Sequence, residues 1–407
     1  MADIDVPQYF LCPISLEIMK DPVTTVTGIT YDRESIEQWL LMAKERNCPV
    51  TKQPLPTDSP LTPNHTLLRL IQAWSSQKAR NGAVRIPAPK PLLSSIHVHK
   101  LISHLQIPHL CQTTLRKMDA LAGSESNRRC MVESGALEAL VSIITQKFKE
   151  GITSCLEQAL RVLRLLWAAS SIAHVKPLVC ENLDFITSLA WALQIGVRNN
   201  VNIVNETMPI LKSTAGAADS TLLGNLNVEF FREITKVLKN RRVSEQAIKS
   251  ALQVLIETCP LGRNRMKIVE SGAVFVLIDL ELEKPTKNIT ELVFNLLANL
   301  CSCADGREQF LRHAAGIAVM SKRILRVSNA TDDRAVQIFS LIAKYSSSND
   351  VVLEMLRVGA VSKLCMVMQA DCASYLKEKA RSILRLHSKT WNNSPCIQVY
   401  LLTRHQR

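Results

Sequence analysis

The chain has 407 residues, of which 47% are apolar, and its formal net charge is +13. This length exceeds one domain of roughly 100–200 residues, so we expect more than one domain. No run of about 18 apolar residues is free of charge, which excludes a membrane span. The N-terminal segment contains two acids and no basic stretch, so no secretory signal is expected.

The twelve cysteines follow no framework spacing, so we expect reduced thiols and a cytoplasmic protein, with the nucleus or the periphery of a membrane as alternatives. Residues 1–80 carry 8 basic and 9 acidic side chains, whereas the remaining residues carry 41 and 27. Such a basic region attracts acidic proteins, anionic membranes or nucleic acid. The interleaved aromatic residues that stack on bases are absent, so we expect no nucleic-acid partner and keep a peripheral membrane contact open.

Residues 7 to about 78 predict a small unit with the order loop, hairpin, helix, loop and helix. Thr27-Gly28 lies between two segments rich in β-formers and predicts a two-residue hairpin turn. Asp32 is the expected N-cap of the first helix, and the buried face of that helix would carry Ile36, Trp39, Leu40 and Ala43. Asn64 is the expected N-cap of the second helix, and its inner side would carry Leu67, Leu70, Ile71 and Trp74.

This segment has the spacing of a RING module without the metal ligands. Only Cys12, Cys48 and His65 could ligate zinc, whereas one tetrahedral site needs four ligands and a cross-braced pair of sites needs eight. We therefore expect no zinc site and no cofactor. Neither Cys12 nor Cys48 has a neighbouring histidine or basic cluster that would lower its pKa, so neither is expected to be a nucleophile.

Several short motifs in a fixed order resemble the U-box, the zinc-free RING-like domain of ubiquitin ligases. They are Phe10-Leu11-Cys12-Pro13-Ile14, Asp21-Pro22-Val23, Gly28-Ile29-Thr30-Tyr31-Asp32-Arg33, Ile36, Trp39, Cys48-Pro49-Val50-Thr51, Pro54-Leu55, Pro63-Asn64, Leu67 and Ile71. Within that family the chain is most similar to plant U-box ligases that carry armadillo repeats behind the U-box.

The resemblance implies which residues stabilise the unit and which ones bind a partner. U-boxes replace zinc with hydrogen bonds and salt bridges between loops, and the matching structural residues are Cys12, Asp21, Pro22, Tyr31, Asp32 and Arg33, with Glu34, Thr51 and Lys52 as further candidates for such contacts. The surface for a ubiquitin-conjugating enzyme (E2) would comprise Ile14 and Leu16 of a first loop, Trp39 of the helix, and Pro49 and Lys52 of a second loop. Lys52 stands where relatives place a cation that bridges E2 and ubiquitin, but its ammonium cannot form the bidentate fork of an arginine.

Behind this unit the sequence predicts an all-α array of repeats. The expected divisions are a U-box at 5–79, a Pro-containing linker at 80–95, a repeat solenoid at 96–390 and a basic tail at 391–407. Similar motifs place Gly135, Gly272, Gly316 and Gly359 at separations of 137, 44 and 43 residues. The first separation divides into three steps of about 46, with degenerate copies near residues 182 and 227, and this period is typical of armadillo or HEAT repeats.

Six or seven such repeats would stack into a right-handed superhelix, because one repeat cannot bury its own apolar face. The armadillo resemblance implies a groove that binds a protein substrate. Asn295 and Asn299 are candidates for a ladder of asparagines that holds an extended peptide. A role as caps or hydrogen-bonding groups within their own repeat is the interpretation we favour.

The resemblance as a whole implies an E3 ubiquitin-protein ligase of the RING type. It would bind a ubiquitin-charged E2 and promote direct transfer of ubiquitin to a substrate lysine, with no covalent ubiquitin intermediate on this chain. It also implies a role in plant stress or immune signalling and protein turnover, and homo- or heterodimerisation through the U-box. A non-enzymatic armadillo adaptor is the main alternative, and a nucleic-acid-binding solenoid is the third.

Overall fold

The computed structural model describes residues 6–42, 47–56, 61–80, 93–180 and 182–399. The chain divides into two compact units, Met1–Leu93 and Ser94–Arg407. Within the described residues, the first unit combines short strands with helices and the second is built of helices. The expected fold class, a small α+β unit followed by an all-α repeat array, is therefore confirmed. No helix among the described residues is long and apolar enough to cross a membrane.

The N-terminal unit is a three-stranded sheet with two helices. In chain order it contains a 3-10 turn (Gln8–Phe10), β1 (Pro22–Thr24), β2 (Thr30–Asp32), α1 (Arg33–Met42), β3 (Thr62–Pro63) and α2 (His65–Arg80). β1 lies between β2 and β3 and is antiparallel to both, with Val23 opposite Tyr31 and Pro63. The buried core consists of Phe10, Cys12, Met19, Val23, Tyr31, Ile36, Cys48, Leu55 and Ile71.

The hairpin between β1 and β2 differs from the predicted two-residue turn. The backbone N–H of Thr25 donates to the Ile29 carbonyl at 3.0 Å, and that of Gly28 donates to the Thr25 carbonyl at 2.9 Å. The loop proper is thus three residues long, and Gly28 adopts a φ of +81° at its end. A glycine in the left-handed region is the usual closing residue of a three-residue hairpin loop.

The two predicted helix caps have different outcomes. The Asn64 side chain accepts the backbone N–H of Leu67 at 3.0 Å, so this cap is confirmed. Asp32 is instead the last residue of β2, and its carboxylate accepts the backbone N–H groups of Lys20 at 2.6 Å and Asp21 at 2.9 Å. Asp32 directly precedes α1, as predicted for an N-cap, but the hydrogen bonds of its carboxylate go to these two N–H groups.

The predicted buried faces of the two helices are also partly corrected. In α1, Ile36 is buried and Leu40 packs against the core, but Trp39 is 39% exposed; Ala43 lies outside the described residues. Among residues 65–75 of α2 the buried positions are Leu68, Ile71 and Ser75, which follow the i, i+3, i+7 spacing of a single stripe. Leu67 and Trp74 flank that stripe and pack on the core, whereas Leu70 is 51% exposed, so its assignment to the inner side is wrong.

The second unit is a stack of three-helix repeats. It begins with a helix pair, α3 (Ser95–Leu105) and α4 (Pro108–Leu121). The first three repeats are α5 (Glu125–Glu133), α6 (Ala136–Glu150) and α7 (Leu156–Ala168); α8 (Ile172–Cys180), α9 (Leu183–Asn199) and α10 (Val201–Ala217); and α11 (Ser220–Gly224), α12 (Val228–Lys239) and α13 (Glu245–Thr258). The next three are α14 (Gly262–Glu270), α15 (Ala273–Leu282) and α16 (Lys287–Leu300); α17 (Ala304–Arg312), α18 (Gly316–Arg323) and α19 (Asn329–Tyr345); and α20 (Asn349–Arg357), α21 (Ala360–Gln369) and α22 (Ser374–Leu386). The short helix α23 (Ser388–Trp391) follows them.

Equivalent helices of successive repeats pack side by side in two rows. One row consists of α4, α7, α10, α13, α16, α19 and α22, and the other of α3, α6, α9, α12, α15, α18 and α21. Each helix buries apolar side chains against its own repeat and its neighbours; α7, for example, buries Leu156, Leu160 and Leu163. Burying one such side chain contributes about 1.5–3 kcal/mol, so a repeat is stabilised mainly through the repeats beside it.

The predicted repeat corners coincide with the start of the second helix in each repeat. Gly135, Gly272 and Gly359 precede α6, α15 and α21 with φ values of +83°, +80° and +78°. A residue with a Cβ atom would cost roughly 1–2 kcal/mol in this left-handed conformation. The degenerate copies were placed correctly as well: Asn182 and Asn227 precede α9 and α12, and each side chain accepts a helix N–H.

Gly316 belongs to the same series for a different reason. It is the first residue of α18, and its φ is not in the left-handed region. A Cβ atom at this position would lie 2.5 Å from the carbonyl oxygen of Phe310, so the requirement is for a close approach of two backbones.

The repeat fold continues beyond the expected boundary at residue 390. Trp391 is fully buried, and its indole N–H donates to the Val352 carbonyl at 3.1 Å. Ser394 is also buried. The predicted start of a basic tail at residue 391 is therefore wrong, because the Trp391 side chain is buried against the last repeat. Of the expected linker, residues 81–92 lie outside the described part, as do 400–407 of the tail.

Candidate functional site

The first loop of the N-terminal unit is closed by its own backbone. The N–H of Cys12 donates to the Glu17 carbonyl at 2.8 Å, and the N–H of Leu16 donates to the Cys12 carbonyl at 2.9 Å. Leu16 adopts a φ of +59°, which is rare for a residue with a branched side chain. The loop therefore holds its tip in one conformation through hydrogen bonds of its own backbone.

The second loop repeats this construction 36 positions later in the printed sequence. The N–H of Cys48 donates to the Gln53 carbonyl at 2.8 Å, and the N–H of Lys52 donates to the Cys48 carbonyl at 2.9 Å. Lys52 has the same φ of +59°. The shared pattern is Cys-Pro, a β-branched residue, Ser or Thr, any residue, and Glu or Gln; this visible signal was missed by the sequence analysis.

Cys12 joins the first loop to the sheet. Its buried sulfur accepts the backbone N–H of Asp32 at 3.3 Å. Burial alone would raise the pKa of the Cys12 thiol, but hydrogen bonds from Ser15, Asp32 and Ile14 outweigh it and lower the pKa below its usual value. Because the Asp32 carboxylate also binds two N–H groups of residues 20 and 21, this corner is connected entirely by polar contacts.

Cys48 joins the second loop to Tyr31, the residue that precedes Asp32 in β2. The Tyr31 hydroxyl lies 3.0 Å from the Cys48 sulfur and accepts the N–H of Val50 at 3.3 Å, and the Thr27 hydroxyl donates to this sulfur at 3.3 Å. Burial raises the pKa of Cys48, yet hydrogen bonds from Thr27, Thr51 and Tyr31 bring it down to about 6. Burial and the neighbouring Cys48 in turn raise the pKa of Tyr31 well above its usual value.

These contacts correct one expectation about the cysteines. The pKa of Cys48 is lowered after all, by hydroxyl and backbone donors where the sequence analysis considered only histidine and basic side chains. Both sulfurs are fully buried, however, so neither is presented to a substrate. Cys12 and Cys48 act as hydrogen-bond acceptors that fasten two loops to neighbouring positions of β2.

The other proposed structural residues are partly paired. The Arg33 side chain forms an ion pair with Asp21 at 2.6 Å and a longer one with Glu37 at 3.7 Å. Pro22 is buried in β1 opposite Asp32. Within the described residues, Glu34 and Lys52 form no ion pair, so their proposed contribution to bridging the loops is not found.

The residues expected to contact an E2 lie on the two loops and on α1. Leu16 is 74% exposed at the tip of the first loop, and Lys52 is exposed at the corresponding position of the second. Ile14 and Pro49 are half-buried, and Ile14 packs partly against the core. Val50, 51% exposed, also lies on the second loop and was not among the predicted residues, although it occupies the position that Ile14 holds in the first loop.

Trp39 connects the helix to the second loop. Its indole N–H donates to the Asn47 carbonyl at 3.1 Å, while the side chain remains partly exposed. Tyr31 and Asp32 are consecutive in β2 and each binds one loop, so the two loops and the Trp39 indole are linked by one set of hydrogen bonds. The exposed side chains of Leu16, Trp39 and Val50 are apolar and Lys52 adds a cation, a combination that suits docking of a protein.

The asparagine ladder considered for the repeats is not formed. Asn295 and Asn299 are half-buried on α16, and neither side chain makes a hydrogen bond within the described residues. The residue before the helix end is Asn299 in α16, Glu257 in α13 and Lys344 in α19. The amide is thus not repeated along the row, and the favoured role within the repeat is not found either.

Comparison with known proteins places both units in one family. The U-box domain family matches residues 6–80, and the plant U-box protein ARM repeat region matches residues 97–407. E3 ubiquitin-protein ligase PUB24 of Arabidopsis thaliana is 40% identical over 99% of this chain and 96% of its own length. E3 ubiquitin-protein ligase PUB23 of the same plant is 40% identical over 97% of this chain and 96% of its own length.

Among solved structures, Uso1-2 is similar in fold alone, with a TM-score of 0.54 and 13% identity over 75% of this chain and 52% of that chain. The two family matches together cover nearly all of the sequence and agree with the division into two units. The chain belongs to the plant U-box proteins with armadillo repeats.

Proposed function

We propose that this chain is an E3 ubiquitin-protein ligase. Its N-terminal unit binds an E2 that carries ubiquitin as a thioester, and its repeats bind the protein to be modified. The lysine amine of the substrate attacks the thioester carbonyl, the amide bond forms, and the E2 cysteine leaves as the thiolate. No step needs a covalent ubiquitin intermediate on this chain.

The single observation that carries this proposal is the pair of equivalent loops with exposed tips. Leu16 and Lys52 occupy the same left-handed position in the two loops, and Leu16 is largely exposed. An exposed leucine in a conformation that costs roughly 1–2 kcal/mol is explained by a partner that needs the side chain there. The relatives named as E3 ubiquitin-protein ligases support the same proposal.

Such a ligase accelerates the reaction by holding the thioester and the lysine amine in position. Holding the thioester and the amine together converts a bimolecular reaction into an effectively unimolecular one. Two loop tips and one helix side chain form a small contact, which belongs with transient interfaces below about 1,200 Å². A transient contact suits turnover, since the E2 has to leave and be recharged.

Discharge of ubiquitin from a charged E2 onto free lysine tests the proposal. Wild-type protein should accelerate discharge, and Leu16→Ala should remove most of that acceleration while the protein stays folded, because Leu16 is not part of the core. Leu70→Ala is the matched control, since Leu70 is another leucine of the same unit and is 51% exposed. Absence of any acceleration by the wild type with a panel of E2 enzymes would favour a non-enzymatic adaptor instead.

A further inference from the structure

One cavity of the repeat unit is lined by three basic side chains and no acidic one. It has a volume of about 570 Å³ and lies where α18 and the segment after it meet the start of α21. Its basic residues are Lys322, Arg326 and Lys363, and the hydroxyl residues Ser321 and Ser362 also line it. A volume of this size is within the range of pockets that hold small ligands.

The three cations are unpaired. Within the described residues, none of them forms an ion pair with a carboxylate, in contrast to Arg323 next to them, which pairs with Glu281 at 2.6 Å. Lys363 interacts electrostatically with Asp332, but this carboxylate is buried and accepts the N–H of Leu325 at 2.7 Å. Three like charges around one concavity repel each other, so the site favours an anion.

The backbone adds donors at the same place. α21 starts directly after Gly359, which lines the cavity and has no side chain that could cap the helix. A Cβ atom at Gly359 would have no neighbour within 4 Å, so the backbone just before α21 borders open space. N–H groups of a first helical turn bind anions, and here they accompany the three cations.

We propose that this cavity binds the phosphate of a phosphorylated serine or threonine in the substrate protein. This rests on the proposed function, in which the repeats hold the substrate. Lysine and arginine side chains form charge-assisted hydrogen bonds with phosphate oxygens, and the Arg326 guanidinium is able to bind two of them at once. An anionic membrane is the weaker alternative, because electrostatic membrane binding uses clusters of about 4–8 basic residues spread over a surface.

The test uses the full chain and a fluorescent pool of degenerate peptides with one fixed central phosphoserine, and the same pool without the phosphate. The phosphorylated pool should bind in a saturable way, and the unphosphorylated pool should bind much more weakly. Combining Lys322→Gln, Arg326→Gln and Lys363→Gln should weaken binding by roughly tenfold or more, since each change removes a hydrogen bond to a charged group.

The matched control combines Lys117→Gln, Arg198→Gln and Lys287→Gln, which remove the same charge. These side chains are exposed on α4, α9 and α16 and form no ion pair within the described part of the chain. This control should bind the phosphorylated pool like the wild type. Equal loss in both triple variants overturns the proposal, because net charge alone would then attract the peptides. Equal binding of the two peptide pools also overturns it, because the phosphate would then contribute nothing to binding.

A second arm separates the source of the phosphate. Phosphatidylcholine vesicles that contain phosphatidic acid present the same phosphomonoester on a membrane. If the cavity variant loses vesicle binding while no phosphopeptide binds to the wild type, the peptide proposal is wrong. Ubiquitin discharge onto free lysine should be unchanged in the cavity variant, so failure of this proposal is distinguishable from failure of the ligase proposal.

Discussion

The two units of this molecule are stabilised in different ways. The N-terminal unit has a small core and fastens its loops with polar contacts to two buried cysteine sulfurs, a tyrosine hydroxyl and an aspartate. The repeat unit buries many apolar side chains along its two rows of helices. Its polar contacts link neighbouring repeats, as in the hydrogen bond that the Asn264 side-chain amide donates to the Leu223 carbonyl. Small units need such local fastening, whereas a stack distributes its stability over many interfaces.

The two units should therefore be destabilised by different kinds of substitution. Loss of one hydroxyl in the N-terminal unit should loosen a loop without unfolding the rest. In the repeats, polar changes on the surface should be tolerated, but a change that forces two backbones apart should disrupt a whole interface. Four substitutions test this contrast, and they follow in order of decreasing expected loss of stability.

Gly306→Ala should be the most damaging. A Cβ atom at Gly306 in α17 would lie closer to the Leu300 carbonyl oxygen than real Cβ atoms approach, so the helix has to shift. Forcing such a shift costs roughly 1–3 kcal/mol or more, and urea unfolding followed by circular dichroism would measure it. Gly262→Ala is the control, because Gly262 opens α14 and has free space around it; an equal loss in both variants would show that backbone approach is not the cause.

Tyr31→Phe should loosen the second loop selectively. The change removes the hydroxyl that contacts the Cys48 sulfur and accepts the Val50 N–H, which leaves buried groups unsatisfied at a cost of about 1–3 kcal/mol. Hydrogen exchange should speed up in residues 47–53 and stay slow in residues 11–18. Tyr9→Phe, on an exposed ring, should change neither segment. Uniform acceleration in both loops would mean that they are not fastened separately.

Cys48→Ser should remove one pH dependence of stability. The folded pKa is about 6 and the unfolded value is 9.0, so the native thiolate contributes stability that is complete above 9.0, declines as the pH falls, and is gone below about 6. Urea midpoints at several pH values should therefore rise more between pH 6 and 9 in the wild type than in the variant. Thiolate absorbance at 240 nm should show the matching titration, and parallel curves for the two proteins would contradict the assignment.

Asp21→Asn should have the smallest effect. The ion pair between Arg33 and Asp21 is short, but both side chains are more than a third exposed, so solvent screens it. Exposed pairs of this kind contribute about 0–1 kcal/mol. A shift of the urea midpoint as large as that of Tyr31→Phe would mean that the N-terminal unit depends on its salt bridge more than on its buried hydroxyl.

Local signals in the sequence predicted much of this structure. The Asn64 cap, the period of the repeats and the corners at Asn182 and Asn227 all follow from residues close together in the chain. The role of Asp32 could not be predicted in this way, because its carboxylate binds N–H groups 11 and 12 positions earlier.

The sites depended even more on contacts between distant segments. The Cys-Pro repeat was visible in the sequence, yet its function became clear only when both sulfurs were found on adjacent residues of β2. The basic cavity combines side chains from two successive repeats, so no single window of sequence contains it. Trp391 was assigned to a tail because its partner, Val352, lies one repeat earlier.

The central claim is that the exposed tips of two fastened loops hold the charged E2. A photo-crosslinking amino acid at position 16, incubated with an E2 carrying a stable ubiquitin conjugate, tests it directly, with the exposed position 70 of α2 as the comparison. Position 16 should crosslink to the E2, and position 70 should not. Crosslinking from position 70 alone, or equally from both positions, would contradict it.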